Sequence, residues 1–467
     1  MARFREAGLY FLLGALLVGT LWRGGYFPAP KWTFAALLLL AGATELGMSA
    51  ALKELRLPRS PGFWLFAAFV CFAGASFTWS VSRADTVREA VLLAGLLAAM
   101  FTAESQLKRS GIKTIKAIAF WLVYSSAFVC AWGIGAYIFR TAPYSEVVDG
   151  LLRAGSTFEY SNALSCFGLM ALPVTAALHG LAARRDRPLL ATAISLQAAA
   201  VLLSYARFGY VALFLLSAWF VLSGWKKGTA AAVMLALVAG LAAAACAAAA
   251  EMAGRPVVGL VAVLLVFGLA WAGHKFLESV SGERRLRYQP LAAGALALAG
   301  ITTAAVLAQK SGRLHAALVA RFEKGFALSS LLPHRLDTYR GAADAFRVRP
   351  LAGSGLGTFA QVYQWYAIAA YTKFAHNLVL QAAVDTGLIG AVLMALFLVY
   401  VVAFSGWRLL ARAGPLPRAF AIASLVFVAC NMFDWEWYIP ALAGWFVVGL
   451  MCVEADAGFW INPKNGY

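Results

Sequence analysis

Acidic residues are scarce in this chain. Of 467 residues, 21 are Asp or Glu against 39 Lys or Arg, and charged residues of both signs make up only 13%. A water-soluble domain carries about 25%. The polar surface is too small to cover soluble domains, which excludes a cytosolic enzyme, a disordered chain and a secreted disulfide scaffold. Cysteine is nearly absent too. Cys71, Cys130, Cys166, Cys246, Cys430 and Cys452 all fall in apolar segments without C-x-x-C spacing. They read as small core or lipid-facing residues. No H-x-x-E or D-x-D arrangement suggests a metal site, and no cofactor motif is present.

Apolar residues dominate instead, at 62% of the chain with a mean hydropathy of +0.76. Long apolar runs recur from residue 8 to residue 453. An outer-membrane barrel would show alternating segments of about 10 residues. The pattern predicts an all-α polytopic membrane protein. A spanning helix needs about 20 mostly apolar residues. Candidate spans are 7–22, 33–51, 62–80, 88–104, 115–139, 162–182, 188–205, 208–223, 229–250, 256–273, 290–308, 377–404, 417–433 and 438–453. Several are short, so about 12–14 transmembrane helices are expected. The first could be a signal peptide with Arg3 and Arg5 ahead of it. No clear A-x-A site follows, and a retained helix is the preferred reading.

The net charge of +18 first suggests nucleic acid, but its distribution argues for topology. With the N-terminus in the cytoplasm, the inner segments hold 22 Lys and Arg. The outer segments hold 17, nine of them within 309–375, leaving eight for the short outer loops. This is the positive-inside bias, so nucleic acid is not an expected partner and membrane lipids are. The chain divides into N-terminal spans (1–308), one large outer loop (309–375), and C-terminal spans with a short cytoplasmic tail (376–467). The Ala-rich stretch 229–250 suits close helix packing.

The large loop has a local balance of +6. Long loops can escape the charge rule, or the excess attracts a phosphate-bearing substrate. Leu336–Val348 reads as an amphipathic helix ended by Pro350, with Arg340–Asp344 and Asp344–Arg347 spaced for ion pairs. Arg335 has no acid at i+3 or i+4, which leaves it freer for an anion. Gly353, Gly355 and Gly357 permit a tight turn and close backbone approach. Tyr363, Trp365, Tyr366 and Tyr371 suit an interfacial aromatic belt or stacking on sugar. His376 is expected to cap the next apolar helix. Asp385 lies about 13–14 Å further along it, at about 1.5 Å per residue. It is functional by default or a structural partner for another helix. Two further polar knots map to the outer side: Ser204–Tyr210, with Arg207, and Asn431–Tyr438, with Trp435.

In combination these features resemble the O-antigen ligase and polymerase superfamily. Ser204–Arg207 is similar to the family's arginine after a small, serine-containing helix end. Arg335 to Tyr339 matches Arg-x-x-x-aromatic in the large periplasmic loop. Pro350–Phe359 matches Pro-Leu-x-Gly-x-Gly-x-x-x-Phe. His376–Gly390 matches His-Asn-x-x-Leu with a downstream acid and Gly-x-x-Gly. Thr157–Asn162 is similar to an element ahead of the sixth span. Two departures occur: Asp385 stands where Glu is usual, and Phe208 where a small residue is usual. The resemblance implies a GT-C-like architecture with about 12 helices and both termini cytoplasmic. It implies a metal-independent glycosyltransferase of the bacterial inner membrane, facing the periplasm. Its donor would be an undecaprenyl-diphosphate-linked glycan and its acceptor lipid A–core oligosaccharide.

The residue chemistry is compatible with that implication. A diphosphate leaving group needs charge neutralisation, which bidentate arginines supply better than lysine. Arg207 and Arg335 are the leading catalytic candidates, with Arg340 as a binding candidate. An acceptor hydroxyl needs a base, and His376 is the best placed of five histidines. Asn162, Asn377, Asp385 and Trp435 are candidates for binding the glycan or diphosphate. Competing readings are a polymerase of the same superfamily, a lipid-linked protein glycosyltransferase and a secondary transporter. The single long loop favours the ligase over the polymerase. A transporter would be expected to place its polar residues near the midplane, whereas here they collect at one outer face.

Overall fold

The computed structural model describes residues 6–148, 150–222, 227–279, 328–368, 371–411 and 413–455. Side chains of 221–222, 227–228 and 328–334 are outside that description. In chain order the helices are α1 (Ala7–Leu21), α2 (Pro28–Ala51), α3 (Pro61–Ala75), α4 (Arg83–Ser110) and α5 (Ile112–Phe139). A short antiparallel hairpin follows, β1 (Ser145–Val148) and β2 (Leu151–Ala154). Then come α6 (Ser161–Leu181), α7 (Arg187–Leu203), α8 (Arg207–Leu222), α9 (Lys227–Met252) and α10 (Pro256–Ser279). The last group is α11 (Leu328–Val348), α12 (Phe359–Tyr363), α13 (Leu378–Leu410), α14 (Pro415–Asn431) and α15 (Pro440–Glu454).

Eight of these helices are long and apolar enough to cross a membrane by length and composition, and five more are shorter apolar helices. The chain is therefore an all-α membrane protein with one small hairpin among the described residues. The expected span 290–308 and residues 309–327 of the large loop lie outside the described residues. Proline opens α2, α3, α10, α14 and α15, where its missing N–H costs nothing and its fixed φ suits the first turn. The Ser60 hydroxyl completes the start of α3 by accepting the Phe63 N–H at 2.8 Å.

Packing gathers the chain into two compact units, Met1–Ile118 with Ala327–Tyr467, and Ala119–Phe326. In unit 1, α2 packs on α1 and α4, and α13 packs on α3, α14 and α11. Along α4, Arg88 and Lys108 stand about 30 Å apart, at about 1.5 Å per residue. That is close to the hydrocarbon thickness of a bilayer. Groups that the charge count assigns to one side meet at one end of unit 1: Glu54, Arg56, Arg59, Lys108 and Arg109 border one cavity.

In unit 2, α9 packs on α7 as its small residues anticipate. A Cβ on Gly240 would lie 2.6 Å from the Ser195 carbonyl oxygen, so only glycine allows this approach. Gln197 joins the helices around it, donating to Ser126 Oγ at 2.7 Å and Thr175 Oγ1 at 2.9 Å.

The helix α13 is broken at Gly387 (φ 66°, ψ −168°). The glycine loop 350–357 fits into the break. Ser354 N–H donates to Val384 O at 3.1 Å and Gly355 N–H to Asp385 O at 2.8 Å. In return, Leu388 N–H donates to Pro350 O at 2.7 Å. A Cβ on Gly353 would stand 2.4 Å from Gly387 N, and one on Gly387 2.3 Å from Leu351 C. Two backbones touch here, and a side chain on either would separate them.

Candidate functional site

The segment between α12 and α13 leads into unit 1's most unusual polar cluster. His376 adopts φ 54°, a left-handed conformation that non-glycine residues enter at a cost of about 1–3 kcal/mol. Several bonds hold it there. Its carbonyl accepts the Tyr339 hydroxyl of α11 at 3.2 Å, and Ala375 N–H donates to Gln381 Oε1 at 2.7 Å. The ring Nδ1 lies 2.8 Å from Asp434 Oδ1. The carboxylate accepts, so this pairing puts the proton on Nδ1 and leaves Nε2 as the basic nitrogen, 3.4 Å from Thr372 Oγ1.

Asp434 is the centre of the cluster. It is buried, accepts the Trp435 N–H at 3.1 Å, and lies 3.9 Å from Arg335 Nη2. Arg335 Nη1 is buried with no hydrogen-bond partner among the described residues. Glu436, 2% exposed, also carries an unpartnered oxygen, Oε2. Burial pushes the Glu436 carboxyl well above the ordinary carboxylate range, and the neighbouring Asp434 charge adds to that. Arg335 and its own N–H oppose the shift without cancelling it. The cluster thus combines one arginine with spare donors, an imidazole held by a carboxylate, and a carboxyl biased towards its neutral form.

Aromatic rings flank it. Phe374 stacks on Trp435 at 4.7 Å and on Tyr438 at 4.9 Å, and Tyr26 lies 5.3 Å from Trp435. Alongside is a cavity of about 330 Å³ bordered by Tyr26, Lys31, Arg88, Gln361, Lys373 and Phe374. Aromatic faces with amide and cationic rims offer a sugar both stacking and hydrogen bonds. Lys31 is not wholly available, because it holds Glu89 at 2.8 Å.

The structure therefore brings Arg335, His376, Asn377 and Trp435 together around Asp434. Asn377 bonds within the protein through both ends of its amide. Its Oδ1 accepts Leu380 N–H at 3.0 Å, and its Nδ2 donates to Met432 O at 3.1 Å. Asn377, and not His376 as expected, is the cap of α13. An asparagine accepts from the N3 amide at an N-cap, whereas the histidine ring is committed to Asp434. Arg340 points elsewhere. It is mostly exposed and pairs with Asp337 at 3.5 Å rather than with the expected Asp344, which Arg347 occupies. Asp385 is buried in α13, where its Oδ2 accepts the Gly357 N–H at 3.1 Å. It fastens the glycine loop through that oxygen, while its Oδ1 is buried with no hydrogen-bond partner among the described residues. Tyr363 is not at an interface. It is fully buried and stacked on Phe359 at 5.0 Å, while Trp365 is 79% exposed.

Arg207 and Asn162 belong to unit 2. Arg207 begins α8 directly after a break from α7 in which Tyr205 takes φ 52°. Ser204 builds that turn, its Oγ donating to Val201 O at 2.6 Å and accepting Ala206 N–H at 3.2 Å. Asn162 opens α6 and donates to the Tyr160 hydroxyl at 3.0 Å. The hairpin supports this turn, with Glu146 accepting the Ser161 N–H at 3.0 Å.

Sequence reasoning did not assign Asp434 or Glu436. Their signal was an acid–Trp–acid triplet in a short connection between apolar helices, within a chain that has few acids. Among the described residues, no group of three or more His, Cys, Asp or Glu side chains could hold a metal ion. No family model matches the chain, and no curated protein matches it.

Proposed function

We propose that the chain is a membrane-embedded glycosyltransferase of the O-antigen ligase type. It would move a glycan from undecaprenyl diphosphate to lipid A–core oligosaccharide at the periplasmic face of the bacterial inner membrane. The observation that carries this reading is the His376–Asp434–Arg335 cluster beside an aromatic and cationic cavity.

The acceptor hydroxyl oxygen attacks the anomeric carbon while the bond from that carbon to the diphosphate oxygen breaks. The hydroxyl proton passes to His376 Nε2, and the electron pair of the broken bond leaves with the diphosphate. Asp434 keeps the imidazole in the tautomer that can accept the proton and stabilises the imidazolium that results. Arg335, with a donor to spare, meets the charge that grows on the diphosphate. Trp435 and Phe374 offer a stacking face for a sugar. The reading of Arg207 as a diphosphate ligand rests on its sequence motif.

The test is glycan transfer by purified protein in detergent, with a defined lipid-linked donor and lipid A–core acceptor. Transfer that needs the acceptor supports the ligase. Growth of the donor glycan without the acceptor identifies the polymerase alternative. Absence of both, with gradient-dependent movement of substrate in vesicles, identifies a transporter. Single cysteines near residue 330 test the orientation: labelling only after lysis would reject a periplasmic loop.

A further inference from the structure

The other end of unit 1 carries a second cavity, of about 370 Å³, bordered by Ser49, Glu54, Arg56, Arg59, Lys108 and Arg109. Four cations face one carboxylate there. Two of the cations are committed. Lys108 holds Glu104 at 2.6 Å, and Arg109 holds Glu45 at 2.6 Å and Glu54 at 3.0 Å. Arg56 and Arg59 are exposed, and their guanidinium groups have no partner among the described residues. The fold builds this position. Lys53, in a left-handed conformation at φ 55°, turns the chain out of α2, with Glu54 N–H bonded to Ser49 O at 2.8 Å. Arg59 N–H then bonds to Glu104 at 2.6 Å, which ties the connection back onto α4.

The same connection exposes apolar side chains. Leu55 is 54% exposed and Leu57 76%, and they alternate with Arg56. Trp64, 48% exposed, donates its indole N–H to Pro58 O at 2.9 Å. Leucines beside unpaired arginines, with a tryptophan at the same level, are the composition of a segment at the headgroup boundary. A soluble phosphate would find use for the arginines and none for the leucines.

We infer that this cavity binds the headgroup of an anionic phospholipid, with Arg56 and Arg59 on the phosphodiester and Leu55 and Leu57 against its acyl chains. Basic pockets at the cytoplasmic ends of membrane helices take such headgroups, and planar guanidinium groups pair with phosphate oxygens in two places at once. The site is about 30 Å along α4 from Arg88, at about 1.5 Å per residue. It is separate from the His376 cluster and independent of the proposed transfer reaction.

Native mass spectrometry of the full chain, released from detergent with phosphatidylglycerol or phosphatidylcholine, tests this. Wild type should retain phosphatidylglycerol at concentrations where phosphatidylcholine is lost. The pair Arg56→Gln and Arg59→Gln should weaken that retention about tenfold or more, at roughly one increment of surface attraction per arginine. Melting in lipid-free detergent should not change, because neither side chain has a protein partner to lose. Leu55→Ser with Leu57→Ser should also weaken retention. Equal retention of the two lipids, or full retention by the arginine pair, overturns the inference. Displacement of the lipid by inorganic phosphate at equal concentration also overturns it, and assigns the cavity to a soluble anion. If the pair fails to fold, Arg56→Gln alone decides: a severalfold loss supports the site and no change overturns it.

Discussion

Both ends of unit 1 hold an arginine among carboxylates, and the two arrangements differ in how closely the charges meet, 2.6 Å between Arg109 and Glu45 against 3.9 Å between Arg335 and Asp434. At one end Arg109 reaches Glu45, Glu54 and, through Nη2, Ser49 Oγ at 2.7 Å. Gln106 supplies Glu45 with a further donor at 2.7 Å. The carboxylate of Glu45 is wholly buried and both its oxygens are engaged. At the other end Arg335 stands 3.9 Å from Asp434, with Nη1 unpartnered, and the nearby Glu436 Oε2 is unpartnered too. Charges that close on one another hold helices together. Charges that stop short of contact leave a bond unmade, which burial makes expensive.

Mutation should separate the two ends. His376→Ala should lower transfer by about 10²–10⁴-fold without unfolding the protein, and donor affinity should hardly change. Loss of donor binding with an unchanged pH profile of the residual activity would instead place His376 among the diphosphate ligands. Arg109→Ala should have the opposite signature. It strands Glu45 and should cost about 3–5 kcal/mol of stability, seen as a large drop in melting temperature. Arg335→Lys should keep the melting temperature and lose most transfer, because lysine keeps charge and loses the planar fork. Full activity in that variant would remove Arg335 from the site.

Titration gives another handle on the open end. The raised carboxyl of Glu436 binds its proton more tightly in the folded than in the unfolded chain. Its contribution is fully present below the ordinary value of 4.5 and is lost as pH rises through its elevated folded value. Melting temperature should therefore fall with rising pH across that window in wild type, and the fall should flatten in Glu436→Gln. An identical slope in both proteins would show that Glu436 does not titrate there. The smallest effect belongs to Arg340→Ala. Its exposed pair with Asp337 is worth less than about 1 kcal/mol, and a measured loss of transfer there would return Arg340 to the substrate.

Much of the fold was legible in the sequence, because a membrane helix announces itself by length and hydropathy. The described helices stand where apolar runs stand, although α4 extends to Arg83–Ser110 beyond the expected 88–104. Its polar ends hide from a hydropathy window but continue the hydrogen-bond ladder. Arg335 stood out in the sequence as a cation with no acid at i+3 or i+4, and His376 as the best placed of five histidines. Asp434 was not legible as their partner, because the pairing joins residues 58 positions apart in the chain. Arg340 differs for a local reason: the expected Asp344 is held by Arg347, and Arg340 turns to Asp337 three residues back. Asn377 was singled out as a binding candidate, and its role as the cap of α13 was not read from the sequence.

The glycine loop set into the break of α13 makes unit 1 behave as though it were spliced. The bonds from Ser354 and Gly355 to Val384 and Asp385, and from Leu388 back to Pro350, join two stretches of chain side by side. Peptide continuity through the exposed Trp365 is a second connection between the same two stretches. Fragments 1–365 and 366–467, made as separate polypeptides, would each bring one half of that interlock. Their co-assembly would turn one polypeptide into a split protein whose halves recognise each other in part by backbone.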